Sequence, residues 1–130
     1  LDPADKLDPQ KCLERMWQRQ VLDRYERQDE NPYYTMELHA IRLGDVAICT
    51  NPFELYTEYG IRIKSRSKAI QTFVVQLACT SGGYLPTEEA IRGGHYSTAV
   101  YSNRVGPEGG NVLVDQTVQV INAMWQDKAK

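Results

Sequence analysis

The sequence predicts an α/β chain: a mixed sheet of three or more strands with packing helices. Three observations predict it. Two apolar runs, residues 46–50 (VAICT) and 70–79 (IQTFVVQLAC), carry apolar side chains on both faces, as strands covered on both sides do. Between them, residues 52–67 repeat apolar positions at helical spacing, so the two strands are expected to run parallel and to be joined by a crossover helix. Ahead of the first run, Leu43-Gly44-Asp45-Val46 carries a Gly-Asp turn, which folds a preceding strand back as a hairpin.

The elements follow in order. Residues 1–8 (LDPADKLD) are polar and broken by proline, and read as a lead-in or linker; the remaining span, 9–130, reads as one domain. A helix is expected over 9–29, because Leu13, Trp17, Val21 and Tyr25 recur every four residues with Met16 beside them. Asp8 suits its N-cap and Pro9 its first turn. In the next run Tyr34, Met36, Leu38, Ala40 and Arg42 alternate with Thr35, Glu37, His39 and Ile41, the pattern of a strand with one polar face. In the 52–67 helix, Phe53, Tyr56, Tyr59 and Ile63 mark the inner stripe, and Arg62, Lys64 and Arg66 sit outside, near the C-terminal end of the dipole. A loop follows (TSGGYLPT), then one or two helical turns capped by Thr87, then a glycine-rich irregular stretch. The last helix is expected over 108–127, with Leu113, Thr117, Ile121 and Trp125 inward beside Val114 and Val118.

Composition excludes some classes of function. The chain has 130 residues, 25% of them charged, with a net charge of −2, so it carries no basic footprint for nucleic acid or anionic membrane. No apolar run approaches the ~20 residues that span a bilayer. The three cysteines, Cys12, Cys49 and Cys79, have no short pairwise spacing of a zinc or redox motif. Cys49 and Cys79 each end an apolar run and are expected to be buried thiols. The chain opens on Leu1 without a signal-peptide pattern and is expected to be a piece of a longer protein.

Ligands of open α/β sheets sit beyond the carboxyl ends of parallel strands. Glu54 follows the first parallel strand and Tyr84 the second, so both belong on one rim. On pattern alone Glu54 reads as a helix cap, with Asn51 at the N-cap, Pro52 at N1 and Glu54 at N3. Tyr84 reads as a tyrosine packed over a loop beside two glycines. His39 belongs to a polar strand face, and His95 either faces solvent or lies near a site. The GPEGG run before the last helix offers a weak anion-binding signal, although any tight loop uses the same residues.

Two runs, IRLGDVAICTNPFELYTEYGIRIKSRS and TFVVQLACTSGGYLPTEEAIRGGHYSTAVYSNRVGPEGG, resemble the neutral/alkaline non-lysosomal ceramidase family, closest to its shorter bacterial members. The resemblance spans roughly residues 36–125 and matches the C-terminal part of the family's catalytic domain. It implies that the sheet belongs to a larger two-layer or three-layer catalytic domain. It also implies a zinc-dependent amidohydrolase that splits ceramide, or a related lipid or small amide, into an amine and a fatty acid. The family's metal-binding glutamate precedes a glycine by six residues, as Glu54 precedes Gly60. The metal-binding tyrosine corresponds to Tyr84. A second tyrosine twelve residues on, which stabilises the oxyanion, corresponds to Tyr96, and the family's Gly-Pro follows at Gly106-Pro107.

Two further zinc ligands, both histidines, are implied in an N-terminal portion outside this chain. The chain alone is therefore expected to bind zinc weakly, to be inactive, and to leave Glu54 as a cap or a solvated rim carboxylate. A periplasmic or secreted location is implied by the resemblance as well. The chain departs from the family at Phe53, where the motif has glycine, at Leu55-Tyr56-Thr57, where it has a Thr-Thr, at Ser81, where longer members have tyrosine, and at Glu108, where they carry a bulkier ring. The competing reading is a non-catalytic anion- or partner-binding module on a degenerate hydrolase scaffold.

Overall fold

The computed structural model describes residues 8–125. Residues 1–7 of the expected lead-in and the last two residues of the expected final helix lie outside the described residues. The chain divides into two units, with the boundary between Tyr34 and Thr35.

The first unit is built on helix α1 (Pro9–Glu26). Asp8 caps it, accepting from the backbone N–H of Gln10 at 3.0 Å, and Pro9 stands where no intrahelical donor is needed. Its apolar stripe is present but buries no residue, and Leu13, Met16, Trp17 and Tyr25 remain exposed.

The second unit holds a three-stranded mixed sheet in the order β1-β2-β4. Strands β1 (Ala40–Leu43) and β2 (Val46–Thr50) form the antiparallel hairpin. Gly44 turns it at φ +61°, the first central position where hairpin turns favour glycine. Helix α2 (Thr57–Arg66) then crosses over to β4 (Gln71–Val75), which pairs parallel to β2 with Val46 opposite Gln71 and Thr50 opposite Val75. Helix α4 (Pro107–Ala123) lies against α2 and the sheet. Side chains alternate across the strands, so Ala47, Cys49 and Thr72 face the helices and are buried with Tyr59, Ile63, Leu113, Val114, Val118 and Ile121. Gly110 of α4 allows the close approach to α2, because a Cβ there would lie 2.3 Å from the Tyr59 ring. Tyr59 donates its hydroxyl proton to Pro86 O at 3.0 Å, and burial pushes its pKa up.

The opposite face of the sheet differs from expectation. Both apolar runs suggested strands covered on two sides, yet Ile41, Leu43, Phe73 and Val75 stand about half exposed or more. Ile41, Ile48 and Phe73 are direct register partners across the three strands, so they form one continuous apolar row on that face.

Four local expectations are corrected. The strand expected from Tyr34 begins only at Ala40. Residues 35–40 keep the two-residue alternation, with Met36, Leu38 and Ala40 half-buried, but beyond His39 they find no ladder partner. The 52–67 helix starts at Thr57, because the chain first makes a two-residue strand, β3 (Glu54–Leu55). The strand expected over 70–79 stops at Val75, and Leu77 and Cys79 turn the chain at φ +53° and +68°. Cys79 is consequently exposed, while Cys49 is buried as expected.

Candidate functional site

Beyond Thr50 and Val75 the two parallel strands do not separate. Asn51 N–H donates to Val75 O at 3.0 Å, Ala78 N–H to Asn51 O at 3.0 Å, and Gly82 N–H to Pro52 O at 2.7 Å. The buried Asn51 side chain accepts from Phe53 N–H at 3.0 Å, an Asx turn that bends the backbone without starting a helix. Glu54 N–H then donates to Gly83 O at 2.9 Å, and β3 pairs parallel with β5 (Tyr84–Leu85). In that ladder Glu54 stands directly opposite Tyr84.

This placement overturns the reading of Glu54 as a helix cap. The N-cap of α2 is Tyr56, which makes no side-chain capping bond, and Glu54 is a strand residue two positions before it. The local pattern Asn-Pro-Phe-Glu satisfied helix-start chemistry, but a non-local partner, the 82–85 backbone, took the donors first. Leu55 N–H is likewise taken by Gln76 Oε1 at 2.7 Å.

A third segment completes the rim. Helix α3 (Glu88–Gly93) is capped by Thr87, as expected, and leads to a 3-10 turn at Tyr96–Thr98. Four hydrogen bonds order this turn and the segment that follows it, and two of them reach Tyr84 of the β3–β5 ladder. The hydroxyls of Tyr56 and Ser97 lie 2.7 Å apart, Tyr84 N–H donates to Ser102 O at 3.0 Å, and Asn103 Nδ2 donates to Ser97 O at 2.8 Å and Tyr84 O at 3.3 Å. Gly83 makes the crossing possible: it sits at φ +74°, and a Cβ there would lie 2.6 Å from Ser102 O.

The three residues singled out from the sequence therefore converge. The Tyr84 and Tyr96 hydroxyls lie 3.4 Å apart, with the rings edge-to-face at 5.7 Å between centroids. The Glu54 carboxylate stands near enough to the Tyr84 hydroxyl to act on its proton. The Tyr84 pKa is held well above the ordinary phenol range, first by the hydrogen bond with Tyr96 and next by the Glu54 carboxylate, since ionising would place an anion beside a carboxylate. Glu54 and Tyr84 are half-buried and Tyr96 is exposed, so the rim opens to solvent. The His95 ring lies 4.6 Å from that of Tyr96 and is exposed, at the outer margin of the rim.

Glu54 and Tyr84 offer two adjacent oxygen donors, which is half of a four-coordinate zinc shell. They fit zinc in that limited sense, as ligands that need two more. Among the described residues, the one group of three or more His, Cys, Asp and Glu side chains with close ligand atoms lies elsewhere, at Glu37, His39 and Cys79. A shallow cleft of about 170 Å3 also lies away from the rim, lined by Glu58, Tyr59, Arg62, Thr87, Glu88 and Asn111 among others. The glycines of the GPEGG run have packing reasons: a Cβ at Gly109 would lie 2.1 Å from Val105 Cγ1, and Gly110 meets Tyr59. Glu108 already places a carboxylate in the first turn of α4.

Sequence reasoning missed Asn103, Ser97, Gly83 and Ser102, which hold the rim together. Only Gly83 carried a signal, as one of two glycines ahead of Tyr84, and the others act through contacts set by the fold. No known protein family, curated protein or solved structure matches this chain.

Proposed function

We propose that this chain is the C-terminal part of the catalytic domain of a zinc-dependent amidohydrolase resembling neutral ceramidase. Its substrate would be N-acylsphingosine or a related lipid or small amide. The observation that carries the reading is the convergence of Glu54, Tyr84 and Tyr96, three residues from separate segments, on one solvent-facing rim at the carboxyl side of the parallel strands. The half-exposed apolar row Ile41–Ile48–Phe73 supports a larger domain, because so continuous a patch on a sheet face calls for a covering layer. That layer is the N-terminal portion, which would also supply two histidine ligands.

In this reading Glu54 and Tyr84 hold zinc together with those histidines. When bound, such a metal supplies Lewis acidity toward the amide carbonyl and an activated water near neutral pH. Glu54 contributes a hard anionic oxygen. Tyr84 keeps its proton beside the Tyr96 hydroxyl and the Glu54 carboxylate, and would serve as a phenol or phenolate oxygen ligand once a cation offset that carboxylate. Tyr96, exposed and oriented by its contact with Tyr84, donates its hydroxyl proton to the oxyanion developing on the attacked carbonyl. A donor so placed is worth about 2.7–4 kcal/mol in a known enzyme.

The test is zinc analysis and an amidase assay on the full-length protein, wild type against Glu54→Gln and Tyr96→Phe. The expected result is one equivalent of zinc lost in Glu54→Gln, and a kcat lower by ~10²–10³-fold in Tyr96→Phe with KM little changed. Full activity and unchanged zinc in Glu54→Gln would sink the assignment. A full-length protein free of both zinc and amidase activity would favour the partner-binding module instead.

A further inference from the structure

A second set of metal-ligating side chains lies outside the rim. Glu37, His39 and Cys79 each offer one ligand atom, and these atoms all lie within 4.8 Å of one another. They come from two segments brought together at the carboxyl end of the sheet. His39 is fixed by the last residue of β2: Thr50 N–H donates to His39 O at 3.0 Å, and His39 N–H donates to Thr50 Oγ1 at 3.1 Å. Two residues earlier, Glu37 follows the same alternation onto the same side, and its Oε2 lies 3.3 Å from His39 Nε2. Cys79 arrives from the segment after β4, held by the bond from Ala78 N–H to Asn51 O.

We infer that Glu37, His39 and Cys79 form a binding site for a borderline divalent cation of the zinc class, distinct in its residues from the Glu54–Tyr84 rim. The donor set points to the ligand: a thiol, an imidazole and a carboxylate are the three groups zinc takes from proteins, and here they come from two separate segments to within 4.8 Å of one another. The turn at Leu77 and Cys79, both at positive φ, carries the thiol outward to meet the other two.

The geometry needs little adjustment. With metal–ligand distances of ~2.0–2.3 Å, tetrahedral ligand atoms sit ~3.4–3.7 Å apart, so the three exposed side chains close by ~1 Å or slightly more through rotamer changes. Binding expels the thiol proton to solvent, leaving thiolate, neutral imidazole and carboxylate around the ion, with the fourth position open to water. The Glu37–His39 pair orients the imidazole in the absence of metal.

The probe is Co²⁺ titrated into the 130-residue chain, read by the thiolate-to-cobalt charge-transfer band in the near ultraviolet, followed by Zn²⁺ competition. The expected result is one equivalent with a charge-transfer band that Zn²⁺ abolishes. Cys79→Ser should remove the band. His39→Ala should weaken binding at least ~10-fold, since residues that merely support a ligand are worth about 10–100-fold. Cys12→Ser and Glu54→Gln should leave the band unchanged. No band in the wild-type chain, or a band that survives Cys79→Ser or vanishes in Cys12→Ser, overturns the inference. All three ligands are exposed, so the variants keep the fold, which circular dichroism verifies.

Discussion

Gly83 is where the candidate site depends most on a single missing side chain. An alanine there meets two separate penalties. The backbone sits at φ +74°, where an L-residue costs roughly 1–2 kcal/mol. The new methyl would also lie 2.6 Å from Ser102 O, a backbone atom that cannot swing aside. Relieving that overlap moves the Ser102 segment outward, which costs roughly 1–3 kcal/mol as overpacking does. It also endangers the adjacent bond from Tyr84 N–H to Ser102 O, worth about 0.5–1.5 kcal/mol. Against this, alanine restricts the unfolded chain and returns about 0.4–1 kcal/mol. The net expectation for Gly83→Ala is a loss of about 1.5–6 kcal/mol.

Gly44→Ala supplies the matched control. Gly44 has nearly the same conformation, φ +61°, but no atom lies within 4 Å of its would-be Cβ. It pays the conformational term alone, so a loss of about 0.5–1.5 kcal/mol is expected. Urea unfolding of both variants, with m held constant, measures the difference. Near-ultraviolet circular dichroism should also change for Gly83→Ala, because Tyr84 and Tyr96 share the affected segment, and not for Gly44→Ala. If the two variants lose the same stability, Ser102 does not stand against Gly83 and the rim is not built as described.

Asn103→Ala should cost about 1–3 kcal/mol, because it leaves the carbonyls of Tyr84 and Ser97 without their shared donor; denaturant titration measures it, and a change below ~0.5 kcal/mol would contradict the bridging role. Alkylation of the folded chain should modify the exposed Cys12 and Cys79 and spare Cys49, whose thiol is buried and pushed up to about 11; mass spectrometry of the labelled peptides decides it. Because Cys49 is raised from 9.0 in the folded state, its contribution to stability is complete below pH 9 and lost as pH climbs towards 11, which unfolding measured across that window would reveal. Phe73→Ser on the open sheet face should cost only about 1–1.5 kcal/mol, the share of a half-buried ring, and reduce self-association in sedimentation; a loss above ~3 kcal/mol would mean that the face is packed.

Features set by nearby residues were legible in the sequence. The caps at Asp8 and Thr87, the Gly44 turn and the inward stripe of α4 from Leu113 to Ile121 each follow from short-range chemistry and stand where the pattern put them, whereas α4 ends at Ala123 and leaves the expected Trp125 in a turn beyond it. The parallel pairing of β2 with β4 was legible too, because a crossover helix of that length leaves few other connections. What failed was set at a distance. Asn51 to Glu54 carry good helix-start residues, yet the acceptor at Gly83 O, nearly thirty residues on, drew Glu54 into a strand. Cys79 ends an apolar run, and nothing local announces that Leu77 and Cys79 will turn with positive φ and expose it. The rim itself was legible only as a list of residues following strands; its geometry required Asn103 and Ser102, which no local pattern singles out.

The two candidate metal positions differ in donor chemistry, and that difference decides how zinc would distribute in the chain alone. The rim offers oxygen only, from one carboxylate and one phenol that keeps its proton. The Glu37–His39–Cys79 set offers sulfur and nitrogen as well, which borderline and soft cations prefer. Zinc, cobalt or cadmium added to the isolated chain should therefore settle at Cys79, while the rim, two ligands short in the proposed enzyme, would gain affinity only with the two histidines that the proposal requires. A zinc stoichiometry bears on Glu54 only through the change that Glu54→Gln produces in a Cys79→Ser background. In the full-length protein that double comparison separates a catalytic zinc held by Glu54 and Tyr84 from one held at the sheet's end. A zinc content that neither substitution changes belongs to neither set and would refute both assignments together.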